Sequence, residues 1–140
     1  MDGLSGAASV IAVVNISAKI VSFCYQYSVA VKDAKDDIER VRRKVSDIAQ
    51  ILEKIKQLLN NQDKTQLSTT QGLSRTLEQC REELKSLEAK LDPGKTRKTI
   101  SRLGFRALKW PFTSTQVDKV VSNLEGYEQT FSLALQVDQT

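Results

Sequence analysis

Histidine is missing from all 140 residues, which removes the commonest general base, the commonest zinc ligand and the ordinary physiological pH switch. No nucleophile and base stand at a sensible spacing elsewhere, so we expect no enzyme, no cofactor and no metal. Cysteine is nearly missing too. Cys24 and Cys80 are the two present, and both fall on apolar helix faces, so they read as small reduced core residues rather than as a disulfide or a metal pair. That usage suits a cytoplasmic protein. Proline occurs twice and glycine six times, and aromatic residues make up 6%. Strand signals are essentially absent, which leaves little room for β architecture.

What remains is helix-forming: Lys, Arg, Glu, Gln, Leu, Ala, Val and Ile dominate the chain. The length suits one domain spanning 1–140, large enough to bury a core without disulfides. An apolar register with alternating steps of three and four runs through Val10, Val13, Ser17, Ile20, Cys24, Tyr27, Val31, Ala34, Ile38, Val41, Val45, Ile48, Leu52, Ile55 and Leu59. A helix spanning the whole run is too long for a small domain, so the pattern predicts two helices broken near Ser28 to Asp33. Asn60 to Gly72 is polar and reads as a loop. The register resumes at Leu73, Leu77, Cys80, Leu84, Leu87 and Leu91, and Asp92-Pro93-Gly94 stops it. Lys95 to Trp110 reads as a short basic amphipathic helix ended by Pro111. Thr113 and Gln116 then form a capping-box pattern for a last helix that buries Val117, Val120, Leu124, Tyr127, Phe131 and Leu135. The expected fold is all-α, an antiparallel bundle of four long helices plus the short basic one.

Charge is placed unevenly around a net +4. From Met1 to Val31 the only charged side chains are Asp2 and Lys19. A helix with Leu4, Val10, Ile11, Val13, Val14, Ile16, Ile20, Val21 and Phe23 on all its sides wants burial on every side. The plain reading is therefore a central core helix. Membrane insertion is the alternative, because the stretch is long enough to cross a hydrocarbon core if Lys19 snorkels or faces a lumen. Met1-Asp2-Gly3 lacks the cationic start of a secretory signal, and Asp2 stands where myristoylation requires Gly.

The second uneven segment is basic: Lys95, Arg97, Lys98, Arg102, Arg106 and Lys109 against the single acid Asp92. Such runs are often plain solvated faces. Phe105, Trp110 and Phe112 beside the cations also suit the headgroup layer of an anionic membrane, so these cations and Trp110 are candidate contacts to anionic phospholipid. No nucleic-acid reader motif accompanies the charge, and we expect no nucleic acid partner. The mixed run Lys32 to Lys56, with Asp36 near Arg40 and Glu39 near Arg43, reads as a wet helix face of weak pairs.

Four separated stretches resemble one known family. These are Met1-Asp2-Gly3-Leu4-Ser5-Gly6-Ala7-Ala8-Ser9-Val10-Ile11-Ala12-Val13-Val14, Val31-Lys32-Asp33-Ala34-Lys35-Asp36-Asp37-Ile38-Glu39-Arg40, Leu87-Glu88-Ala89-Lys90-Leu91-Asp92-Pro93-Gly94 and Phe105-Arg106-Ala107-Leu108-Lys109-Trp110-Pro111-Phe112. In order, they are similar to the fungal HeLo-like domains that head NOD-like receptor (STAND) proteins. The resemblance implies a cell-death effector of fungal innate immunity and heterokaryon incompatibility, cytoplasmic at rest and at the plasma membrane on activation. It further implies a homo-oligomer on activation, with Gly3 to Phe23 as the membrane-targeting helix. A nucleotide-binding oligomerisation module normally follows such a domain; the sequence has no P-loop pattern and no repeats, so that module would lie downstream or on a partner. The rival expectation is a helical signalling adaptor that recruits a protein partner without touching lipid, because a heptad register extends through a partner as readily as through its own core.

Overall fold

The computed structural model describes residues 2–61, 67–92 and 109–139, with side chains described for 8–58, 73–92 and 109–136. Four helices carry the described fold: α1 (Asp2–Ala30), α2 (Lys35–Asn61), α3 (Leu67–Leu91) and α4 (Ser114–Gln139). Among the described residues there is no strand, and the all-α bundle predicted from composition is what forms.

Each helix presents its three-and-four ladder to a common core. Fully or nearly fully buried are Val10, Val13, Ile20, Cys24 and Tyr27 from α1, and Ile38, Val41, Val45, Ile48, Leu52 and Ile55 from α2. From α3 come Leu73, Leu77, Cys80, Leu84, Leu87 and Leu91; from α4, Val117, Leu124 and Phe131 at seven-residue intervals. A 3.5-residue repeat keeps one seam facing its neighbours along the whole helix, which is the packing of coiled-coil-like bundles. α1 packs on α2 and α3, while α4 packs on α2 and, less extensively, on α3. α1 and α4 thus occupy opposite corners.

The break between α1 and α2 falls at Val31–Ala34, without proline or glycine. Val31 N donates to the Tyr27 carbonyl at 2.7 Å and Ile38 N to the Ala34 carbonyl at 2.9 Å, so each helix end is closed across the turn. Asp36 and Asp37 occupy the first turn of α2, where carboxylates suit the positive end of the helix dipole. At the start of α4 the capping box forms in both directions: Gln116 N donates to Thr113 Oγ1 at 3.1 Å, and Thr113 N to Gln116 Oε1 at 2.9 Å.

Two expectations are corrected, and a third falls largely outside the described residues. The loop predicted over Asn60–Gly72 is much shorter, because α2 runs to Asn61 and α3 already begins at Leu67. Ser68, Thr69, Thr70 and Gln71 each disfavour a helix by well under ~1 kcal/mol, and a long helix anchored by Leu73 to Leu91 extends over them once nucleated. The short basic helix predicted for Lys95–Trp110 lies outside the described residues except at Lys109 and Trp110, and those two are not helical. Trp110 precedes Pro111, whose ring disfavours helical backbone at the residue before it. Finally, α1 is no central helix. It sits at a corner of the bundle, and its side away from α2 and α3 meets solvent.

Candidate functional site

The outer side of α1 has a register of its own. Ala8, Ile11, Asn15, Ala18, Ser22, Tyr25 and Val29 are exposed, stepping by three and four, and of the exposed residues among the described side chains of this helix Lys19 alone is charged. Ile11 is 43% exposed, Tyr25 56% and Val29 81%. By contrast the exposed residues of α2 include Lys35, Asp36, Arg40, Arg43 and Lys54. The stretch Ala8–Ala30 is long and apolar enough to cross a bilayer, and 28% of an 18-residue apolar window within it is buried. A soluble core helix of that composition would be mostly covered.

The sequence-predicted insertion residues divide among three positions. Val10, Val13 and Ile20 are fully buried. Val14, Ile16 and Phe23 are half-buried against the edge of the core, Ile11 is exposed, and the Leu4 side chain lies outside the described residues. The apolar character that runs round the helix is thus split between one face that builds the bundle and one that does not. The register read from sequence, Val10, Val13, Ser17, Ile20, Cys24 and Tyr27, is the covered face; the all-round apolar composition did not show that the opposite face is left bare.

The two buried hydroxyls of α1, on Ser17 and Tyr27, both have acceptors. Ser17, buried completely, donates its hydroxyl to the Val13 carbonyl one turn back at 2.8 Å. Tyr27 donates its hydroxyl to the Leu91 carbonyl at 2.9 Å, joining the last turn of α1 to the last turn of α3. Burial, then the nearby Asp92 and Cys24, hold the Tyr27 phenol above its ordinary pKa, so it stays a donor. Lys19 meets Glu88 of α3 at 3.5 Å, with 68% of its side chain exposed.

The basic aromatic segment contributes two described candidates. Lys109 is exposed. Trp110 turns inward: its ring meets Tyr27 edge-on with centroids 5.4 Å apart and meets Phe112 at 5.2 Å, while Lys90 Nζ stands 5.7 Å over the Phe112 ring. Phe112 is buried, and Trp110 Nε1 is buried without an acceptor among the described residues. Aromatic residues read from sequence as headgroup contacts are, in this state, packing groups that close one end of the bundle. Lys95, Arg97, Lys98, Arg102 and Arg106 lie outside the described residues.

The charged run of α2 does more than face water. Arg40 pairs with Asp37 at 3.5 Å and with Asp118 of α4 at 2.8 Å, in place of the Asp36 partner expected from sequence. Lys44 meets Glu128 of α4 at 2.9 Å, and Ser114 Oγ donates to Asp37 at 2.9 Å. The hydrogen bond to Glu128 is the main reason the Lys44 pKa is raised. Glu39 pairs with Arg42 and, at 3.7 Å, with Arg43 as predicted; the Arg42 hydrogen bond lowers its carboxyl pKa. Polar ties therefore join α2 to α4, whereas apolar packing dominates the seating of α1.

Both cysteines are free and buried, and burial pushes each thiol from the ordinary 9.0 up to about 12. They are inert core residues, as read from sequence. No curated protein and no solved structure matches the chain. A family model does match, that of the pigment biosynthesis cluster protein PigL N-terminal region, over residues 1–138, and the chain belongs to that family.

Proposed function

We propose that this domain is a membrane-targeting, cell-death-inducing effector of the HeLo-like type, in which α1 leaves the bundle and enters an anionic membrane after the chain oligomerises. The observation that carries the reading is the outer face of α1, uncharged but for Lys19 on a stretch that is long enough to span a bilayer and whose 18-residue apolar window is 28% buried. A helix already bare on one side gives up less packing on release than one wrapped on all sides. Oligomerisation adds weak single-copy affinities into firm attachment, so one resting copy stays in solution while an assembly binds lipid. Cations of the segment 95–109 would meet the anionic headgroups as each copy arrives. The four sequence stretches that resemble HeLo-like domains support the cell-death role, and membership of the PigL N-terminal family is compatible with it.

Dye release from vesicles containing phosphatidylserine is the test, with the monomer and a forcibly oligomerised form compared. Ile11→Asp is the informative variant, because Ile11 is exposed and its replacement leaves the core intact. Val10→Asp and Val14→Asp also block insertion, although Val10 is buried and its charge would unfold the bundle as well. Release by the oligomer that Ile11→Asp abolishes is the expected result. Vesicles that stay sealed with every form, together with undiminished toxicity after deletion of residues 1–23, would end the proposal.

A signalling adaptor is the second reading. The exposed three-and-four spacing on α1 suits a partner helix as well as lipid, and a stable stoichiometric complex formed without any lipid binding would favour it.

A further inference from the structure

We propose that Tyr27, the Leu91 carbonyl and Trp110 form a latch that holds α1 in the bundle, and that displacement of Lys109–Phe112 opens it. This inference rests on the reading above, in which α1 is the element that moves.

Three parts of the chain meet at the latch. The Tyr27 hydroxyl is fixed to the end of α3 at 2.9 Å, and the Tyr27 ring takes the edge of Trp110, which belongs to the segment that enters α4. α1 and α4 occupy opposite corners, so Trp110 brings the α4 entry onto the helix diagonal to it. That entry is itself positioned by polar ties to α2, through Ser114 to Asp37 and Asp118 to Arg40. The ion pair of Lys19 with Glu88 is long, with Lys19 mostly exposed, and holds little. Apart from it and a cation–π contact of Arg42 over the exposed Tyr25 ring at 5.6 Å, directed restraint on α1 is concentrated at Tyr27.

Position along the helix makes this restraint a gate. Val31–Ala34 is the turn about which α1 would swing, and Tyr27 lies roughly 6 Å along the axis from it at 1.5 Å per residue. A swing of about 30° therefore moves Tyr27 by roughly 3 Å, which is enough to break a hydrogen bond of ordinary length. No useful rotation of α1 proceeds with the latch closed. Beside the turn lies an open cleft of about 550 Å³ whose walls include Val31, Asp33, Lys109, Trp110 and Phe112. The turn and the α4 entry thus border free space on one side and the core on the other. Residues 109–112 are non-helical, so moving them breaks no helix hydrogen bonds, whereas Thr113 caps α4, accepts from Val117 N at 3.0 Å and is the fixed end of the segment.

Hydrogen exchange on the full chain tests the latch. Tyr27→Phe keeps the ring and removes the hydroxyl, and Trp110→Leu removes the aromatic edge. Each is expected to raise exchange of the α1 amides about tenfold while those of α2 and α4 stay protected. Unchanged α1 amides, or an equal rise in all helices, would overturn the proposal, since the contact would then add only to global stability. Trp110 is the single tryptophan, so its emission gives a second measurement on the unmodified protein. With increasing urea it should shift red before helical circular dichroism is lost; coincident transitions count against a latch. Dye release by Tyr27→Phe separates the two proposals. If α1 loosens and vesicles remain sealed, the latch stands and the membrane reading falls.

Discussion

α1 and α2 are built on the same inner plan and differ on the outside. Both bury an unbroken ladder of three-and-four steps, Val10 to Tyr27 in one and Ile38 to Ile55 in the other. α2 covers its outer surface with Lys, Arg and Asp and reaches across to α4 through Arg40 and Lys44. α1 leaves Ile11, Tyr25 and Val29 exposed, and among its described side chains Lys19 is the one exposed charge. An inner ladder fixes where a helix sits at rest; its outer face fixes where else it is able to go. α2 is committed to water and to α4, and α1 is suited to a second apolar environment.

If the two inner faces are equivalent, matched cavities should cost alike. Ile20→Ala in α1 and Ile48→Ala in α2, both fully buried, are each expected to lose about 2–5 kcal/mol in urea unfolding. A much smaller loss at Ile20 would show α1 already loosely seated. The outer faces should separate the helices completely. Ile11→Asp is expected to weaken binding to anionic vesicles on the order of a hundredfold, the scale of placing a carboxylate at bilayer depth, with stability changed by less than about 0.5 kcal/mol. Reversing the charge at exposed Arg43 of α2 should leave vesicle binding intact.

Smaller effects sharpen the same contrast. Thr113→Ala removes half of the capping box that seats α4 and should cost about 1 kcal/mol by thermal or urea unfolding. The thiols offer a pH probe. Their folded values are raised from 9.0 to about 12, so the stability they contribute is whole below pH 9 and is lost as pH rises toward 12. A Cys24→Ala, Cys80→Ala double variant should show a shallower alkaline decline in unfolding free energy. At pH 8 iodoacetamide should label both slowly, and in mild urea Cys24 of α1 should react ahead of Cys80. Lys44→Met is expected to be the mildest change, below about 1 kcal/mol and smaller still in high salt, because its pair with Glu128 is partly wet.

Nearly all of the described core was legible in the sequence, residue by residue, because a buried seam must repeat every 3.5 positions and charged side chains are kept out of it. The α4 start was legible for an equally local reason: a capping box is complete within four residues. Legibility failed where the deciding partner is distant in sequence. The Ser68–Gln71 stretch looked like a loop because its composition is polar, yet the neighbouring helix extends over it. Arg40 was given Asp36 by spacing, and the fold supplies Asp118 instead. Trp110 and Phe112 carried the signal of a membrane interface, but Tyr27, far off in the chain, draws Trp110 inward. On α1 the inner register was read correctly; the miss was that its outer face stays bare, since whether a further neighbour covers it is a property of the assembly.

Ser17 has one consequence beyond packing. A hydroxyl in the middle of an apolar helix usually ties that helix to whichever neighbour accepts its proton. Here the acceptor is the Val13 carbonyl of the same helix, so the polar contact travels with α1 wherever it goes. Moving α1 from protein to hydrocarbon would leave the Ser17 hydroxyl satisfied, so the polar groups still to be accommodated near its middle are Asn15 and Lys19 on the outer face.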